Sequence, residues 1–348
     1  MLAEKLDNIP FFFIIGRPRS GTTMLSTILD ANKQTAMPIE SKVIIFMYFK
    51  FRNVTLWDEK LLLKFYNNLF QLSTIKTWII NKEQLKKEIL QLGEDATFQR
   101  LIKLIYLNYI SFFDKEHITI IGDKNPGYSY VISHLEILLK LFPDAKIIHL
   151  TRDYRDHYLS MNKVDFEGTH LSLVCYRWQF SFKQVRKLMK DQPGQYYSLR
   201  YEELVQQPEK QVKAICSFLG ITYHASMLEY YKIKDKVLSV YPEELVMKYH
   251  SSLFLPISAD FVDKWKEKLT PKQIEMADAI VGKAADEAGY KRSYFTSKWK
   301  FFWYLLPDMA YSQLWLFYKK WYDIIFNPNE NKKRAGTMSK LYFSIFKQ

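Results

Sequence analysis

Cysteine is scarce. Cys175 and Cys216 are the only two in 348 residues, which excludes a disulfide scaffold, and neither has a Cys-x-x-Cys partner for zinc or redox work. The seven histidines show no metal-ligand spacing. No stretch reaches about 18 uninterrupted apolar residues, so an ordinary transmembrane helix is not expected. The apolar run Phe11–Ile15 follows Glu4, Lys5 and Asp7 and stops at Gly16, too short for the core of a signal peptide. Internal repeats and low-complexity tracts are missing as well. The expectation is a soluble protein of a reducing compartment, the cytoplasm.

What is present is enough apolar sequence for a sizeable core, with 48% hydrophobic and 25% charged residues. The length fits one large domain or two small ones. The net charge is +13, and it is uneven. From Lys291 to Gln348 there are 11 Lys/Arg against 3 Asp/Glu, together with 17 aromatic residues. Such a segment suits an anionic membrane surface, a nucleic acid, or the rest of the fold.

Along the chain, the run from Ile9 to Ile15 predicts a strand buried on both faces. Gly16-Arg17-Pro18-Arg19-Ser20-Gly21 is turn chemistry, and Thr22 to Ala31 puts Met24, Leu25, Ile28 and Leu29 on one helical face. Further strands are expected at Ile118–Ile121, Ala145–Leu150 and Gln195–Leu199. Helices are expected at Val131–Leu141, Leu171–Leu188 and Glu209–Leu219. Strands alternating with helices give an α/β fold, a parallel sheet flanked by helices. The aromatic, helical stretch from about 42 to 114 is too long for a simple crossover and is expected to cap the sheet's carboxyl edge, where open α/β sheets bind ligands. The domain is taken to run over 1–294. A helical extension covers 295–348, with a break at Asn327-Pro-Asn-Glu-Asn.

The loop from Gly16 to Thr23 is the most informative segment. A strand feeding a glycine turn and a helix N-terminus aims backbone N–H groups at one point, which favours a phosphate. Ser20, Thr22 and Thr23 add hydroxyls, and Gly16 and Gly21 allow close approach. An ordinary nucleoside-triphosphate loop has Lys after its second glycine. Thr22 stands there instead, and the cation is Arg19.

Arg-Pro-Arg-Ser-Gly-Thr-Thr resembles the 5′-phosphosulfate loop of sulfotransferases, enzymes that use 3′-phosphoadenosine 5′-phosphosulfate (PAPS). The chain is most similar to the tyrosylprotein branch and its bacterial relatives. A second family signature follows the third predicted strand, where Arg152 and Ser160 stand at the spacing of the family's 3′-phosphate ligands. An Arg fork and a helix Ser suit a phosphate. Tyr201-Glu-Glu-Leu resembles the motif whose Tyr approaches the adenine. Asp123-Lys124-Asn125-Pro126 resembles the Lys-x-Pro element, and Phe261–Trp265, with Lys264, the late Lys-Trp motif near the cofactor. The likeness covers about Pro10 to Tyr290 and implies a P-loop-like fold with PAPS as cofactor and no metal.

For the chemistry, the resemblance makes Arg19 and Lys124 the groups that stabilise charge. Small-molecule sulfotransferases place a His two residues after the Lys, and here that position is Pro126. The tyrosylprotein branch uses a Glu instead. Glu40, 21 residues after Arg19, matches it without a gap, its alternative role being a charge at a helix N-terminus. That branch also has an Arg four residues past its 3′-phosphate Ser, where this chain has Val164 beside Lys163. The branch's late Ser falls on Tyr249, with His250, Ser251 and Ser252 adjacent. His134 and His149 read as packing residues, and Trp178 and Phe182 at i, i+4 as core.

The aromatic stretch, with Phe46, Tyr48, Phe49, Phe51, Trp57, Phe65, Tyr66, Phe70 and Trp78, favours a lipophilic alcohol such as a sterol or lipid as acceptor. A carbohydrate or glycolipid hydroxyl is the alternative, because aromatic platforms also stack sugars. The basic, aromatic extension (Trp299, Phe301, Phe302, Trp303, Lys298, Lys300) suits peripheral contact with the inner face of the membrane or packing on the domain. A nucleotide kinase would need Lys at position 22, and a nucleic-acid binder would not need two phosphate signatures, so nucleic acid is not an expected partner.

Overall fold

The computed structural model describes residues 2–72, 75–164, 170–239 and 254–325. Five strands form one sheet: β1 (Phe11–Ile15), β2 (Thr35–Ala36), β3 (Ile120–Lys124), β4 (Lys146–Thr151) and β5 (Tyr196–Arg200). Their order is β2-β3-β1-β4-β5, and every pairing is parallel. The four longer strands lie within a few residues of their predicted positions. β3 runs past Ile121 through Gly122, Asp123 and Lys124, which do not read as strand formers, and β2 has only two residues.

The helices that position the site are α1 (Thr22–Asp30), then α2 (Val43–Phe51), α3 (Glu59–Gln71), α4 (Lys82–Leu92) and α5 (Phe98–Leu107) in the long insertion. After these come α6 (Ile132–Leu141), α7 (Tyr154–Met161), α8 (Leu171–Leu188), α9 (Pro208–Leu219), α10 (Pro271–Val281) and α11 (Phe302–Ile325). Local sequence starts several of them. Asp58, Asn81 and Thr97 accept from the backbone N–H three residues on, and Thr270 with Gln273 forms a capping box.

All five residues of β1 are buried, so each face of the sheet needs its own cover. Phe11, Phe13 and Ile15 pack with α2 to α6, and Phe11 meets Tyr106 edge-on at 5.2 Å. Phe12 and Ile14 pack on the other face with Leu25 and Ile28 of α1 and Val212 and Ile215 of α9. The insertion therefore serves mainly as a layer over one face, with Phe51, Trp57, Phe65 and Trp78 in the core. Its leading residues, 38–42, reach the carboxyl edge. His134 and His149 are buried; the His149 Nδ1 lies 2.8 Å from the Tyr196 hydroxyl, and burial pushes the imidazole down to about 3.

A third cluster joins α8 to α10 and to Leu305 of α11. Helix α11 is docked on α8 by polar contacts too. Asp308 accepts from the Ser172 hydroxyl, Ser312 accepts from Arg177 Nε at 3.1 Å, and Gln313 donates to the Tyr176 hydroxyl at 2.7 Å. The Arg177 guanidinium lies 5.2 Å from the Tyr311 ring and 5.5 Å from that of Trp315. The Tyr130 ring stands near both Arg177, at 5.4 Å, and Arg17 of the glycine loop, at 4.8 Å. No described helix is long and apolar enough to cross a membrane.

Candidate active site

Because every strand is parallel, Ile15, Lys124, Thr151 and Arg200 all end at the same edge. The loop leaving β1 is shaped by two close approaches. At Gly16, with φ 153°, an added Cβ would sit 2.2 Å from the Leu150 carbonyl oxygen. At Gly21, with φ 90°, it would sit 2.6 Å from Cδ2 of Tyr201. Between them Arg19 adopts φ 66°, a left-handed conformation that costs a non-glycine residue about 1–2 kcal/mol. Gly21 is the N-cap of α1, which has neither a side-chain cap nor an acidic residue in its first turn. Its N–H groups and dipole are therefore left to an anion.

A first constellation surrounds Arg152, just past β4. Arg152 donates from Nη1 to the Arg19 carbonyl at 3.1 Å and from Nη2 to the Phe261 carbonyl at 2.8 Å. Its guanidinium lies 4.6 Å from the centre of the Tyr201 ring. Arg19 Nε donates to Ser160 Oγ on α7 at 3.3 Å. Burial, and then the charge of Arg152, pull Arg19 below the usual arginine range. Arg152 Nε and Ser20 Oγ are buried with no hydrogen-bond partner among the described residues. Ser20 lines a small cavity with Arg17, His149, Thr151 and Trp178, while two guanidiniums and the Ser160 hydroxyl meet beside the uncapped start of α1. That is the donor set of a phosphate site.

Asp156 on α7 clamps the 261–265 segment over this constellation. Its carboxylate accepts from the backbone N–H of Asp263 at 2.7 Å and of Trp265 at 2.8 Å, and burial pushes it up to about 6. Arg155, held by Asp153, stacks 3.6 Å from the Trp265 ring centre. Lys264 itself turns outward, 3.9 Å from Glu267. Lys163 lies 5.9 Å from the Phe261 ring. Tyr249, His250, Ser251 and Ser252 fall outside the described residues.

A second constellation lies at the end of β3. Lys124 is 2% exposed, and its Nζ donates to Glu40 Oε2 at 2.5 Å and to Thr23 Oγ1 at 3.2 Å. Glu40 is 42% exposed. Thr22, the neighbour of Thr23 in the first turn of α1, is buried. The structure therefore gathers Glu40, Lys124 and Thr23 at one point, and Arg19, Arg152, Ser160 and Tyr201 at another, both built on one loop, with Ser20 buried between Arg19 and Gly21.

Glu40 lies outside any helix or strand, yet its segment is tied on both sides. Trp78 Nε1 donates to the Ile39 carbonyl at 2.6 Å, and Asn125 Nδ2 donates to the Ser41 carbonyl at 3.0 Å. Beneath Lys124, Asp123 is fully buried and accepts from the Tyr128 hydroxyl at 2.9 Å. Burial pushes Asp123 up to about 7, against the pull of its Tyr128 and Tyr106 hydrogen bonds. Sequence reasoning did not find Trp78, Asn125 or Asp156 as parts of the site. Asn125 was visible within Asp-Lys-Asn-Pro, whereas Trp78 read as one core aromatic among many.

A model of the sulfotransferase family matches residues 10–225. An uncharacterized protein of Aquifex aeolicus is 26% identical over 236 residues, which is 65% of this chain and 27% of that one. Protein-tyrosine sulfotransferase 1 of Danio rerio is 24% identical over 288 residues, covering 81% of this chain and 73% of its own length. Protein-tyrosine sulfotransferase of Drosophila melanogaster is 25% identical over 284 residues, of which the chain spans half the length. Among solved structures, the sulfotransferase domain of the Synechococcus PCC 7002 olefin synthase superposes with a TM-score of 0.55 at 20% identity, covering 82% of this chain and 96% of that one. The sulfotransferase domain of the curacin biosynthetic pathway does so with a TM-score of 0.53 at 18% identity, covering 82% and 99%. The family model spans well over half of the chain and takes in the glycine loop, Glu40, Lys124, Arg152 and Tyr201, so the chain belongs to the sulfotransferase family, whose members draw a sulfonate from PAPS and pass it to an acceptor.

Proposed function

We propose that the protein moves the sulfonate of PAPS to the hydroxyl of a lipophilic alcohol, a sterol or other lipid, with Glu40 as base. The observation that carries the transfer is the Lys124–Glu40 pair, in which a buried ammonium holds a half-exposed carboxylate at the sheet's carboxyl edge. PAPS supplies the sulfonate and its phosphate leaving group. The chain's own groups suit it. Gly16 and Gly21 leave no room for a Cβ, α1 opens without a cap, and Ser20 Oγ and Arg152 Nε lack partners among the described residues.

In this reading Arg152, Ser160, Ser20, Gly21, Thr22 and Thr23 hold the two phosphate ends, with Tyr201 beside the adenine; Lys264 would have to leave Glu267 and turn inward to join them. Lys124 and Arg19 stabilise the charge that grows on the bridging oxygen. Glu40 takes the proton from the acceptor hydroxyl as its oxygen bonds to sulfur. Lys124 is well placed for this because β3 fixes its backbone while Thr23 and Glu40 orient its Nζ.

Support for a lipophilic acceptor is the exposed Ile39 side chain next to Glu40, 40% accessible, and the apolar helix α11 packed against α2, which begins three residues after Glu40. A second reading has its own support. The Danio rerio and Drosophila melanogaster relatives are named protein-tyrosine sulfotransferases, which favours a phenolic hydroxyl on a polypeptide. The test is transfer of labelled sulfur from PAPS into a pool of sterols, lipid alcohols, tyrosyl peptides and sugars. Label on sterols or lipids supports the first reading, label on peptides the second, and label on sugars alone overturns both acceptors.

A further inference from the structure

Helix α11 is built inside out. Its docked side carries the buried Asp308 and Ser312 between Leu305 and Tyr311. Its outer side carries Trp303, Leu306, Ala310, Leu314 and Phe317, at spacings of three and four that line them up along the helix. Trp303 is 81% exposed, Leu314 64% and Phe317 65%. Just before the helix Trp299, 67% exposed, continues this surface through Phe302 to Trp303, with ring centres 5.5 and 5.4 Å apart, and Phe295, 77% exposed, lies against Arg292. Scattered exposed apolar residues are ordinary, but a continuous stripe of them marks an interaction surface.

Charge selects what covers it. Lys291, Lys298 and Lys300 are exposed around the start of α11. Lys300 pairs with Glu275, and Arg292 with Asp286. From Lys291 to Ile325 six Lys/Arg stand against two carboxylates, Asp308, which is buried, and Asp323. Beyond position 325 the sequence adds Lys332, Lys333, Arg334, Lys340 and Lys347 against Glu330. A second copy of the chain would bring the same positive charge to the same face. An anionic lipid surface attracts the cations and receives Trp, Leu and Phe at the boundary between head groups and acyl chains.

We propose that the outer face of α11, with Trp299 and Phe295, docks the protein on an anionic lipid surface, lying in the interface rather than crossing it. The proposal stands on the extension alone and does not depend on which acceptor is sulfated.

The experiment uses the full chain at physiological salt. It is mixed with vesicles of phosphatidylcholine alone or with roughly a third phosphatidylserine, and binding is read by cosedimentation and tryptophan fluorescence. The expected result is binding to the phosphatidylserine vesicles that weakens as salt rises. Trp303→Ala with Leu314→Gln should cut the affinity about ten-fold or more, and Lys298→Gln about five-fold. These side chains are exposed, so circular dichroism and binding of the product nucleotide should match the unaltered protein and serve as the check on folding. No binding to phosphatidylserine vesicles overturns the proposal, as does binding indifferent to the double substitution. A stable dimer that the double substitution dissociates, without vesicle binding, would assign the face to a second copy instead. None of these readouts needs PAPS turnover, so their failure is separable from failure of the proposed transfer.

Discussion

Trp78→Phe removes one donor from the tie on the Glu40 segment and keeps an aromatic ring in the core. The ring packs edge-on against Tyr106 at 5.1 Å and Tyr109 at 5.9 Å, contacts that Phe largely preserves. What goes is the 2.6 Å bond to the Ile39 carbonyl. Stranding that acceptor should cost about 1–3 kcal/mol of stability. The segment can relieve the cost by shifting toward water, which swings Glu40 away from Lys124. A displacement near 1 Å at a reacting group lowers turnover about 100-fold, so kcat should fall between about 10- and 100-fold. Arg152 and the glycine loop are untouched, and affinity for PAPS or its product should stay within about two-fold. Calorimetry with the product nucleotide and turnover at saturating acceptor measure the two quantities separately. Glu40→Gln should show the same split more strongly, and in that background Trp78→Phe should cost no further rate, because the tie acts only through the carboxylate. A stability loss with kcat unchanged would refute the link, and full activity in Glu40→Gln would move the base elsewhere.

Arg152→Lys loses the fork that reaches the Arg19 and Phe261 carbonyls and the stacking on Tyr201. Product-nucleotide affinity should drop about 10- to 100-fold in a calorimetric titration, since an ammonium cannot make both contacts. Asp123, pushed up to about 7, keeps its proton in the folded core after the unfolded chain has lost it near pH 4, so the native state binds the extra proton in between. Stability should therefore fall as pH rises from about 4 to 7, and Asp156, pushed up to about 6, acts in the same direction. Asp123→Asn keeps an acceptor for Tyr128 and should flatten the decline in a series of melting curves across that range.

Strand β1, the glycine loop and α1 were legible because their signals are local: a continuous apolar run, a turn and an apolar helical face. Helix α8 likewise coincides with Leu171–Leu188, its pattern unbroken from end to end. β3 was placed too early because Gly122, Asp123 and Lys124 look like a loop. Tyr128, five residues on, satisfies the aspartate, but the partners that satisfy the lysine, Glu40 and Thr23, lie 84 and 101 residues away, beyond any sequence window. The insertion reads as a cap through its aromatic content, and Phe51, Trp57, Phe65 and Trp78 of that content lie in the core over one face of the sheet. Arg19, Lys124, Arg152 and Ser160 could be picked out because their motifs are short and spaced. The two ties on Glu40 could not, since one of them spans 39 residues and the other 84.

The sheet order has a consequence for synthesis of the chain. β1 is made first and lies in the middle of the sheet, but its neighbours pair Phe11 with Ile121 and Phe12 with Lys146. At about 5–20 residues per second the ribosome needs roughly 5–20 s to supply the first neighbour. During that interval Phe-Phe-Phe-Ile-Ile is an uncharged, β-prone segment without proline and without its native cover, which is the composition that seeds intermolecular strand pairing. The strand that anchors the finished phosphate loop is thus uncovered for that whole interval, and a chaperone that binds apolar extended segments would shield it until β3 arrives.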